Sequence, residues 1–90
     1  MVREELQTAS ENLADASDAT DDADVAETLA DQAEQLDGLA ERDQGPDHGR
    51  LARHENVLTD LAASTDGDVA DLIEAALAEM RAYRETVEGV

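Results

Sequence analysis

The residues best placed to do chemistry lie between Arg42 and His54, in the run RDQGPDHGRLARH. Arg42, His48, Arg50, Arg53 and His54 are half of the arginines and both histidines of an otherwise acidic chain. Guanidinium groups beside backbone N–H groups left open at a helix N-terminus, here around Pro46 to Gly49, could hold a small anion or an acidic partner. The plainer reading is that these arginines form exposed ion pairs with the acids around them, and such pairs are common and individually weak. A metal at His48 and His54 fails on spacing. Six residues on a helix is about 240° of rotation, so the rings diverge. Neither histidine has a Glu three residues before it, so the Glu-x-x-His pattern of carboxylate-bridged bundles is missing.

His54 also shares a stripe with Leu51, Leu58 and Leu61. A histidine on an apolar stripe is expected in a core or interface with one hydrogen-bond partner, where its protonation could tune assembly with pH. Arg84 falls inside the apolar arc of the last helix. Its stem is expected to run along the core edge, or its head to pair with an acid from another helix or subunit. Acid groups such as Glu27, Asp31 and Glu34, or Asp68 and Asp71, could hold Mg²⁺ weakly through water, but such groupings arise by chance in so acidic a chain. There is no Gly-rich phosphate loop, nucleophile elbow or zinc pattern, and the chain has no Cys and one Tyr. The expectation is therefore a protein that is not an enzyme, with no cofactor, no metal and no catalytic residue.

The elements that position these residues are helical. The stretch Asp68–Val87 places Val69, Leu72, Ile73, Leu77, Met80, Tyr83 and Val87 on one arc about 140° wide, the broadest apolar face of the chain. Upstream, Val2, Leu6, Ala9, Leu13, Ala16 and Thr20 alternate at spacings of three and four, a narrow seam with few large side chains. This first helix is expected to be the most weakly anchored, and burial of Leu6 and Leu13 against a second subunit would help it. Leu13 and Leu29 would face opposite ways on a continuous helix, so a break is expected near Thr20–Asp24, with Asp24 and Glu27 at capping-box spacing. Val25, Leu29, Ala33, Leu36, Leu39 and Ala40 line the second helix, with Gln32 among them. Pro46 ends that segment. Thr65 with Asp68, or Asp66 alone, is the expected cap of the fourth helix.

The result is an all-α fold in a single domain spanning residues 1–90. It is read as an antiparallel four-helix bundle with helices at about 2–20, 24–42, 47–63 and 67–88, its short connectors favouring antiparallel neighbours. With no Phe or Trp the core must be Leu, Val and Ala, which buries little per residue. A core this thin is marginal, so completion by dimerisation is expected, with Leu6, Leu13, His54 and Arg84 as candidate interface residues.

Composition fixes the solvent more firmly than the activity. Twenty-four acids against six bases give a net charge of −18, all six cations are Arg, and the acids are spread along the whole chain. Like-charge repulsion argues against direct contact with nucleic acid or an anionic membrane. At about 1 M salt the Debye length is about 3 Å, so self-repulsion that would open the chain in dilute buffer is screened. This is the pattern of a halophilic cytoplasm. No apolar run is long enough to span a membrane, and MVREELQ lacks a signal-peptide core, so a cytoplasmic location is expected.

The segments DHGRLARHENVL (Asp47 to Leu58) and MRAYRETVEGV (Met80 to Val90), on a Lys-free acidic helical chain, resemble small uncharacterised acidic helical proteins of haloarchaea. The resemblance implies a helical fold and a halophilic source. It implies no activity and no site residues. The expected function is that of a salt-adapted interaction or scaffold protein, a homodimer with room for a further protein partner. The alternative is a small-anion or metal-binding module centred on Arg42–His54. An acidic mimic of nucleic acid ranks below both, because halophily explains the dispersed acids more simply.

Overall fold

A computed structural model describes residues 4–41 and 48–88, with side chains for 4–38 and 51–85. Four helices follow in order: α1 (Glu4–Ala19), α2 (Ala23–Glu41), α3 (His48–Ser64) and α4 (Gly67–Glu88), with no strand among the described residues. Wherever an expected boundary falls on described residues, it lies within one residue of the observed one. The helices pack compactly into a body of 40 × 20 × 18 Å. The longest helix, α4, has 22 residues and spans about 33 Å at 1.5 Å per residue.

One apolar cluster joins all four helices. Leu6 and Leu13 of α1, Leu29 and Leu36 of α2, Leu51 and Leu58 of α3, and Ile73 and Met80 of α4 are each fully buried. A Leu, Ile or Met side chain buried this completely contributes about 1.5–3 kcal/mol. The broad face of α4 behaves as its arc requires. Ile73, Ala76, Leu77, Met80 and Tyr83 are buried, Val69 and Leu72 pack at its edge, and the helix lies against both α1 and α3.

The expectation for α1 is overturned. It packs against both α2 and α4, and Leu6, Ala9, Leu13 and Ala16 all have zero exposure. Ala9 and Ala16 project almost nothing beyond the backbone, so neighbouring helices come close enough to cover the leucines between them. Small seam residues here mean close approach, and α1 is a central helix of the fold. Leu6 and Leu13 are consumed by the chain's own core, which removes the reason for placing them at a subunit interface.

The cap of α2 differs from expectation, and of the two readings for α4 the one on Thr65 fails, while Asp66, whose carbonyl accepts the N–H of Ala70 at 3.5 Å, holds the position before the helix. Asp22, not Asp24, caps α2: its Oδ1 accepts the backbone N–H groups of Asp24 (2.9 Å) and Val25 (3.2 Å). That is the N-cap pattern, and it places Asp24 inside the first turn. Thr65 closes the preceding helix instead of opening the next, donating its hydroxyl to the carbonyl of Leu61 at 2.9 Å. The chain then enters α4 through Gly67, which has a φ of 61°.

Gly38 and Gly67 are therefore opposite cases. Neither has any atom within 4 Å of where a Cβ would sit. At exposed Gly38, inside α2, Gly38→Ala is expected to stabilise by up to about 1 kcal/mol through helix propensity. At Gly67 the left-handed backbone disfavours any Cβ, so Gly67→Ala is expected to cost about 1–2 kcal/mol. Thermal melts of both variants in molar KCl should move in opposite directions by several degrees, since about 1 kcal/mol shifts a domain of this size by about 4–8 °C.

Candidate functional site

Of the five residues of the basic run, the structure gives side chains for Arg53 and His54. Arg42 and the Pro46 turn lie outside the described residues, as do the side chains of His48 and Arg50. Arg53 and His54 point different ways. Arg53 is exposed, while His54 is turned inward at 7% exposure. Its Nδ1 lies 2.5 Å from Oε1 of Gln32, which is itself buried in α2. An amide oxygen only accepts, so with this amide orientation Nδ1 carries the hydrogen. The α3 stripe of Leu51, His54 and Leu58 is thus a core stripe, and His54 ties α3 to α2 through Gln32, a polar residue buried on the apolar side of that helix.

Arg84 finds its acid within the same chain. Its Nη1 donates to Oε2 of Glu55 at 2.7 Å, and the two side chains are 27% and 13% exposed. Arg81, 59% exposed, places Nε 3.7 Å from the other oxygen of Glu55. One carboxylate therefore sits between two α4 guanidiniums, and the partner comes from α3. A charge-assisted bond at this depth is worth more than a surface pair, although solvent still screens it.

Two further polar ties were not evident in the sequence. Ser10 Oγ donates to the carbonyl of Ala33 at 2.6 Å, and Ser17 Oγ donates to the carbonyl of Ala26 at 2.8 Å. Both serines lie on α1 seven residues apart, and both acceptors lie on α2 seven residues apart in the reverse sense. Their heptad spacing beside the seam was the available signal; in a chain this polar, a serine reads as surface. Every described side-chain N or O atom buried from solvent has a hydrogen-bond partner.

Among the described residues lie two open grooves. One of about 500 Å³ lies where the turn at residues 20–22 meets the turn at 64–66, with Asp21, Asp22, Asp66 and Asp68 around Val25 and Val69. Among the described residues no group of three or more His, Asp or Glu is arranged to hold a metal ion. Glu27, Asp31, Glu34, Asp68 and Asp71 are all exposed. The second groove, about 470 Å³, runs between α3 and α4 and is lined by Thr59, Ala62, Ala63, Glu74, Leu77 and Arg81. Among the described residues no helix is long and apolar enough to cross a membrane.

A small Ala-rich helical fold whose buried polar groups tie helix to helix defines an architectural class. The chain belongs to DUF7553, a family of unknown function, which it matches over residues 1–86. No curated protein and no solved structure matches it.

The Gln32–His54 tie yields a clear energetic expectation. Removing one partner strands a buried polar group, at a cost of about 1–3 kcal/mol, whereas replacing both with apolar groups is close to neutral. Gln32→Leu and His54→Leu should each lower the melting temperature in molar KCl. The double variant should recover most of the loss, and purely additive losses would show that the two groups do not interact.

Proposed function

We propose that this chain is a salt-adapted, non-enzymatic helical interaction or scaffold protein that self-associates in a halophilic, haloarchaeal cytoplasm. The carrying observation is how charge is divided over the fold. The adjacent helices α1 and α2 hold eleven acids and no base. In α3 two arginines balance two acids, and α4 sets two arginines against six acids, so this pair of helices is much less negative than α1 and α2. One side of the molecule therefore needs a concentrated salt solution around it, and the other is the side a protein partner can approach.

The reading includes an antiparallel four-helix bundle. The reversed seven-residue steps of the Ser10–Ala33 and Ser17–Ala26 bonds support that sense for α1 and α2. A groove bordered by both the 20–22 and 64–66 turns supports placing those turns at one end. The anion- or metal-binding alternative centred on Arg42–His54 draws less support, because His54 is turned into the core and engaged by Gln32.

Salt adaptation has a direct readout. Between about 1 M and 0.01 M salt the Debye length grows from about 3 Å to about 30 Å, which exposes α1 and α2 to each other's charge. Helical circular dichroism should fall substantially on transfer from molar KCl to a few millimolar buffer and return when salt is restored. Full helicity in dilute buffer would rule out a salt-dependent fold. Self-association is read separately, by sedimentation equilibrium in molar KCl, where the expected mass is that of two chains at micromolar concentration.

A further inference from the structure

We infer that the groove between α3 and α4 is the seat of a second copy of this chain, joined about a two-fold axis in which Glu74 of each copy faces Arg81 of the other. This inference rests on the self-association proposed above and assigns its surface.

The first argument is electrostatic. Two molecules carrying −18 each can meet only where the local charge permits. The α1–α2 side, with its eleven acids, does not. Four of the six arginines lie on α3 and α4, and Arg81 and Arg84 gather around Glu55. Against the eight acids of these two helices the four arginines leave a net −4, compared with −11 on α1 and α2.

The second argument is the shape and chemistry of the patch. Its floor is Leu77, Ala62 and Ala63, and its rim carries one acid and one base. A two-fold interface must be self-complementary, each feature meeting its opposite in the copy. Glu74 and Arg81 satisfy that condition. They are seven residues apart on α4, hence nearly in line on one face and about 10 Å apart along the axis. Antiparallel pairing of α4 with its copy, centred between residues 77 and 78, brings Glu74 to Arg81 twice and keeps the two Glu74 side chains apart. Exposed Ala78 falls at the centre of that crossing, where a small side chain allows close approach. Arg81 is 59% exposed and its contact with Glu55 is long, which leaves guanidinium donors for a second carboxylate.

The test is a charge swap followed by sedimentation equilibrium in molar KCl, with circular dichroism to confirm that each variant is folded. Glu74→Arg and Arg81→Glu should each weaken dimerisation by about tenfold or more, because each places like charges together twice. The double variant should return to within a few-fold of the parent. Ala78→Arg, which keeps both rim charges, should also weaken the dimer by obstructing the crossing. A parent dimer indifferent to all three single substitutions would overturn this surface and leave self-association standing. A mass that grows beyond two chains would overturn the two-fold arrangement in favour of the arginine side of one copy meeting the acidic side of the next. A parent that stays monomeric to millimolar concentration would overturn both the surface and the proposed self-association.

Discussion

The contact between α1 and α4 carries the rest of the molecule. α2 rests on α1 and α3 rests on α4, so the chain is two local helix pairs held together chiefly where its first and last helices meet. The pairs α1–α2 and α3–α4 need only short turns to form. The α1–α4 contact closes a segment of more than forty residues and must offset that loop entropy. It does so with fully buried groups on both sides, Leu6 and Leu13 on α1 against the Ile73–Met80 face of α4. A core substitution at this contact therefore threatens the whole fold.

Charge sets the second condition. α1 is central to the core yet carries five acids on its outer side, and its neighbour α2 carries six more. The strongest apolar contacts and the strongest repulsion therefore involve the same helices. Aliphatic burial is short-ranged and insensitive to modest salt, whereas repulsion among surface charges reaches as far as the Debye length allows. On the proposed salt-adapted reading, salt shifts the balance by shortening that reach. It leaves the apolar contacts in place.

Much of this was legible in the sequence. Helix positions followed from apolar periodicity and from the turn expected at Ser64–Gly67, and the dominance of α4 followed from its arc. The inward turn of His54 followed from its place in a leucine stripe, and the need of Arg84 for an acid followed from its angle. Other features were not legible, for physical reasons. The anchoring of α1 depends on how closely Ala9 and Ala16 let two other helices approach, a tertiary quantity that side-chain size alone misjudges. The choice of Asp22 over Asp24 as a cap is settled by two residues of register within an acidic run, where both side chains have the right chemistry. Gln32 and Glu55 became identifiable as partners of His54 and Arg84 only once α2, α3 and α4 had been placed side by side.

The polar ties then answer a problem that the Leu/Ala core creates. Leucine and alanine are interchangeable from turn to turn, so an apolar seam built from them tolerates neighbouring registers at similar energy. Hydrogen bonds do not. If α2 slid by one turn along α1, Ser10 and Ser17 would lose Ala33 and Ala26 together, because both pairs share one seven-residue step. If α3 slid, His54 would leave Gln32 and Glu55 would leave Arg84, stranding polar groups that are largely buried. Each bond contributes modestly to net stability, but its absence in a slipped register is costly. The four ties are distributed so that α1–α2, α2–α3 and α3–α4 each hold at least one, and the remaining neighbour pair, α1–α4, is the one with the most distinctive apolar surface. Close alanine contacts supply proximity, and these few polar groups restrict which proximity is allowed.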